Sequence, residues 1–108
     1  MTDKFITPAD LPTEYERELL VILMEECNEI AQRASKILRF GALEVQKGHD
    51  LDNVQRMCLE IGDVQYMIRL LCDEGLISHA HIETGAANKA RQLAKFLQTS
   101  KPVKEKSE

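Results

Sequence analysis

The sequence predicts an all-α fold built from three amphipathic helices, and three observations carry that prediction. Apolar residues recur at helical spacing from Thr13 to Gly41, from Asp52 to Gly75 and from about Ser78 to Gln98. No run alternates apolar and polar residues as a half-buried strand does. Aromatic residues make up only 5% of the chain, with three prolines and five glycines, a composition that leans towards helix. At 108 residues there is one domain, able to bury roughly two-thirds of its unfolded surface and so to hold one core and one site.

Residues 1–12 contain Pro8 and Pro12 without periodicity and are expected to form an irregular arm. Thr13-Glu14-Tyr15-Glu16 then matches a capping box, with Thr13 accepting from the third amide and Glu16 reaching back to the cap. Leu20, Leu23, Cys27, Ile30, Ala34 and Leu38 continue one stripe until Gly41 offers a stop. Residues 41–50 lie between glycines, have mixed polarity and are expected to form a loop with one short helical turn. Asp52 and Gln55 form a second capping box. Val54, Met57, Cys58, Ile61, Val64, Ile68, Leu71 and Cys72 make the stripe of the next helix, which Gly75 ends. The third helix places Ile82, Ala86, Ala90, Leu93, Ala94 and Leu97 on its inner face, with Gly85 as a possible break. The helical domain thus spans 13–98, and residues 99–108 lack the apolar content to order.

These helices carry more apolar surface than three helices can cover for one another. Leu59, Tyr66 and Leu70 form a patch opposite the main stripe of the second helix, and Leu19 to Met24 is apolar almost all round. The expectation is a homodimer or higher homo-oligomer. A net charge of -4 without a sustained basic run excludes a nucleic-acid backbone binder. The longest apolar run, Leu19 to Met24, is far too short to span a membrane. Cys27, Cys58 and Cys72 are odd in number and lack Cys-x-x-Cys spacing, so they read as reduced core residues of a cytoplasmic protein.

The chemistry-bearing residues are acidic. Glu26 and Glu29 stand three apart on the first helix, Glu60 and Asp63 repeat that spacing on the second, and both pairs are expected on the flank of the apolar stripes. A cluster of this composition is ordinarily a solvated helix face. Recurrence of the pair in the middle of the next helix, where alternating charges would be expected, favours convergence on a cation. Asp and Glu oxygens without nearby His or Cys suit Mg²⁺, or Mn²⁺, better than Zn²⁺.

Glu25-Glu26-x-x-Glu29 followed one helix later by Glu60-x-x-Asp63 resembles the paired acidic signature of the all-α nucleoside triphosphate pyrophosphohydrolases, the MazG-like superfamily. The resemblance spans roughly residues 13–97 and implies a four-helix-bundle-like core completed by dimerisation. It implies Glu26, Glu29, Glu60 and Asp63 as Mg²⁺ ligands, with Glu25 either a further ligand or the base that activates water. The implied reaction cleaves a nucleoside triphosphate between its α- and β-phosphates, giving a monophosphate and pyrophosphate. It further implies phosphate contacts from Asn88, Lys89 and Arg91 on the last helix; Lys36 serves phosphate or solvent. The 41–50 loop is longer than in compact members of that family and reads as a surface loop or a lid. His79 and His81 read as capping or surface residues, Arg33 as an i, i+4 partner for Glu29, and Tyr66 and Phe40 as core or as a stacking surface for a base. The competing reading is a dimeric helical interaction module, or a family member without turnover.

Overall fold

The computed structural model describes residues 10–97, so the expected arm, except for residues 10–12, and the expected tail lie outside the described residues. Three helices follow in order: α1 Glu14–Phe40, α2 Asn53–Asp73 and α3 His79–Phe96. The fold is all-α, with no strand among the described residues. Both capping boxes form as the sequence predicts. Thr13 Oγ1 accepts from the Glu16 amide at 3.1 Å while Glu16 Oε1 accepts from the Thr13 amide at 2.9 Å. Asp52 and Gln55 exchange the equivalent bonds at 2.7 and 2.9 Å.

The described residues fall into two units, one ending at Leu76 and the other beginning at Ile77. In the first, α1 and α2 pack as a hairpin. Gly75, with φ of +76°, ends α2 in a Schellman arrangement, in which the Leu76 amide donates to the Leu71 carbonyl and the Gly75 amide to that of Cys72. The second unit contains α3, capped by Ser78, whose Oγ accepts from the His81 amide at 3.4 Å. The helix runs through Gly85 unbroken.

The connection between α1 and α2 contains two tight turns and a single antiparallel bridge between Val45 and Asp52, in place of the expected helical turn. Asn53 explains why. It is fully buried, and its Nδ2 donates to the Gly41 carbonyl at 2.9 Å and to Glu44 Oε1 at 3.0 Å. Its own amide and that of Val54 donate to Glu44 and Ala42. Arg56 Nη1 adds a bond to Gln46 Oε1 at 3.1 Å. The loop carbonyls of Gly41, Ala42 and Glu44 are therefore satisfied by the first turn of α2 rather than by a helical turn within the loop.

The buried seam of the hairpin is rotated from the stripes read in the sequence. Leu19, Met67 and Leu71 are buried together with Arg33 and Asn53, while Ala34 is exposed and Leu38 is 87% exposed. Cys27 and Cys58 are exposed and Cys72 is half-buried, so the cysteines are free but do not form the expected core. The reason is angular. Cys27 is one position, about 100°, past Glu26, and Cys58 is two positions, about 200°, from Glu60, so neither faces the single seam two helices share.

Candidate metal centre

Rotation of the seam places the acidic residues on it rather than on its flank. Glu26, Glu29 and Glu60 are half-buried and Asp63 is exposed at its edge. Glu26 meets Asp63, and Glu29 meets Glu60, each within hydrogen-bonding reach. The two pairs step three residues forward along α1 and three back along α2, the register that antiparallel helices impose. Along the hairpin the seam changes character. Leu19, Met67 and Leu71 close it near the start of α1, the carboxyls occupy its middle, and Arg33 and Asn53 lie towards the connection.

One ligand oxygen from each of Glu26, Glu60 and Asp63 lies within 4.8 Å of the others. Two carboxyls can share a hydrogen bond only if one holds a proton. The Glu26 carboxyl is accordingly pushed up to about 7, first by its bond to Asp63, then by burial and by the charges of Asp63, Glu29 and Glu60. Glu60 is raised by its bond to Glu29, then by burial and by the charges of Glu29 and Asp63, while Arg33 acts in the opposite direction. Without a cation, the cluster lowers its repulsion by retaining protons.

The donor set suits a hard divalent cation. All the converging groups are carboxylates, and Glu60 Oε2 is buried without a hydrogen-bond partner among the described residues. An acceptor in that state is costly to bury, on the order of 1–3 kcal/mol, unless something binds it. Glu29 lies outside the three-oxygen group and reaches the site through Glu60. Glu25 is exposed and takes no part in the cluster.

The residues expected at phosphate fall in two places. Lys36 is half-buried on α1 and lines a shallow polar depression with Asn28, Gln32, Ser35 and Arg39. Its Nζ lies 5.7 Å from the Phe40 ring centre, and the Arg39 guanidinium lies 4.9 Å from it, so Phe40 is covered by cations rather than by core. Asn88, Lys89 and Arg91 are exposed on α3. Arg91 Nη2 donates to Asn88 Oδ1, and these two line a depression with Gln92 and Lys95. His79 and His81 are exposed in the first turn of α3, and Tyr66 is exposed on α2.

The burial of two residues escaped the sequence reading. Asn53 sits at the first position of α2, where a polar residue ordinarily faces water, and only the tertiary fold of the connection buries it. Arg33 is 8% exposed, although its spacing from Glu29 suggested a surface ion pair. Its i, i+4 relation to Glu29, itself seven residues before Lys36, was the available signal that it shares the acids' face. No helix among the described residues is long and apolar enough to cross a membrane. Comparison of the chain with models of known protein families, with curated proteins and with solved structures gives no match.

Proposed function

We propose that the protein is a Mg²⁺-dependent nucleoside triphosphate pyrophosphohydrolase of the MazG-like type, acting on cytoplasmic nucleotides as a homo-oligomer. The observation that carries this reading is the convergence of Glu26, Glu60 and Asp63 oxygens within 4.8 Å on facing helices, backed by Glu29. A lone acidic helix face would leave its carboxyls solvated and apart. Here Glu26, Glu29 and Glu60 are half-buried with Asp63 at their edge, and the carboxyls of Glu26 and Glu60 are held protonated above their ordinary range, a state a divalent cation relieves.

Glu26, Glu60 and Asp63 would hold the cation, with Glu29 fixing Glu60. The cation would supply neutralisation and polarisation of the phosphoryl oxygens. Glu26, deprotonated when that charge is present, adds negative charge where the cation sits. Lys36 and Arg39, on the same helix beyond Glu29, offer positive charge for the remaining phosphates. Glu25 faces away from the cluster, which makes it a weaker candidate for water activation within one protomer.

The test is a panel of canonical and modified NTPs and dNTPs with Mg²⁺ or Mn²⁺, scored for monophosphate and pyrophosphate. Glu29→Gln and Asp63→Asn should abolish turnover and metal binding while circular dichroism stays helical. Inorganic phosphate as the first product would reject cleavage between the α- and β-phosphates. A second reading is favoured by Leu59 and Tyr66, which are 59% and 57% exposed on one face of α2: a helical interaction module. It predicts no thermal stabilisation by metal with a non-hydrolysable nucleotide, whereas the enzyme reading requires it.

A further inference from the structure

Arg33 Nη1 is buried without a hydrogen-bond partner among the described residues, and so is Glu60 Oε2. Two unsatisfied groups of opposite charge buried in one seam are each costly alone, and their joint burial calls for an explanation. Arg33 lies one turn beyond Glu29, the residue whose carboxyl meets Glu60. Side chains on a helix lean towards its N-terminus, which directs the Arg33 guanidinium back towards that pair. Its buried Nη1 is out of reach of a nucleotide arriving from solvent, so any role it has in the site runs through Glu60.

Resting on the reading of the acidic cluster as a divalent-cation site, we propose that Arg33 is a positioning residue for that site. Its buried donor closes onto the Glu60 carboxylate, directly or through one water, and holds that carboxylate against Glu26 and Asp63. The guanidinium thereby lets four carboxyls occupy one seam without pushing Glu60 out to solvent. This role differs from that of a charge alone. A bare positive charge beside the cluster repels a cation, so its removal should tighten metal binding. Loss of a positioning group should loosen it, as removal of groups supporting metal ligands does, by roughly 10- to 100-fold.

Mn²⁺ binding to the full chain, followed by its electron paramagnetic resonance signal or by calorimetry, decides the sign. Arg33→Met is expected to weaken Mn²⁺ binding by about tenfold or more. Arg33→Lys, which keeps the charge but loses the planar fork, should recover part of that loss. Unchanged or tighter binding in Arg33→Met overturns the proposal. A second readout needs no metal: melting temperatures of Arg33→Met, Glu60→Gln and the double variant in chelator. Direct pairing makes the double variant lose less than the two single losses combined, and additive losses overturn the proposal. Should Arg33→Met lose its helical spectrum, the same cycle with Arg33→Lys decides the pairing. Failure of the wild-type chain to bind Mn²⁺ would remove the metal reading and with it the positioning role. The chelator cycle would then report separately whether Arg33 and Glu60 are paired.

Discussion

Glu26 links the site's electrostatics to a measurable pH dependence. Its carboxyl stands at about 7 in the folded chain against an ordinary value of 4.5, because Asp63 shares its proton and burial and nearby carboxylates oppose ionisation. Between those values the folded state holds a proton that the unfolded chain has lost. The folded state therefore binds more protons in that window, and stability falls as pH rises through it, levelling off above. In chelator, the melting temperature should decline from pH 5 to pH 8. Glu26→Gln should flatten that decline and raise the melting temperature at pH 8. A wild-type melting temperature that climbs over the same range would mean that the Glu26–Asp63 contact is not formed in solution. Divalent cations compete with the same proton, so Mn²⁺ affinity should improve from pH 6 to pH 8. The identities of the four acids were legible in the sequence because i, i+3 spacing fixes which carboxyls share a side. The part-burial of Glu26, Glu29 and Glu60 was not, and neither was the burial of Arg33, since both depend on the face α1 turns to α2.

At the level of the elements, the ends of the helices were readable and their faces were not. Caps are local: Thr13 with Glu16, Asp52 with Gln55, and Ser78 each satisfy amides within three residues. The buried face is set by a partner helix distant in sequence, and polar residues on that face removed the apolar contrast that would have marked it. The glycines test this local logic in opposite directions. Gly75→Ala puts a side chain at φ of +76°, and should cost about 1–2 kcal/mol in urea unfolding. Gly85 lies within α3 with nothing within 4 Å of an added Cβ. Gly85→Ala should therefore stabilise that helix by about 0.5–1 kcal/mol, read as added helical signal on heating. A loss of helix would place a contact at Gly85 beyond this chain's own atoms. Asn53 governs the connection. Asn53→Asp replaces the donor facing the Gly41 carbonyl and the Glu44 carboxylate with an acceptor, and should cost about 1–3 kcal/mol or more. Asn53→Ala should loosen the connection, so that the amides of Asn53 and Val54 exchange hydrogen faster.

At the scale of the whole molecule, the exposed apolar surface of the first unit is the observation behind the proposed homo-oligomer. Among the described residues, only Leu19, Met67 and Leu71 are buried hydrophobic residues, whereas Val21, Ile22, Met24, Leu38, Leu59 and Tyr66 are exposed on its helices. Leu59, Tyr66 and the half-buried Leu70 fall within about 40° of one another at 100° per residue, so they form one stripe beside the acidic seam, with Asp63 at its border. Contiguous apolar stripes on helices are covered in solution when chains associate. A second copy of the hairpin supplies a matching stripe at no cost in new sequence, and a two-fold arrangement on it would bring the second copy beside the Asp63 edge of each carboxyl cluster. Light scattering should therefore give a mass that is a multiple of 12.3 kDa. The melting temperature should rise with protein concentration, because association stabilises the folded state by mass action. Placing charge in the stripe with Leu59→Glu and Tyr66→Glu together should shift the mass towards one chain and remove the concentration dependence. Neither residue is among the cluster's carboxyls, so Mn²⁺ binding measured on the same variant separates assembly from the site. Loss of Mn²⁺ binding along with assembly would mean that the cluster needs the second copy, and retained binding that each hairpin carries a complete centre. A single-chain mass for the wild type at every concentration tried would sink the homo-oligomer.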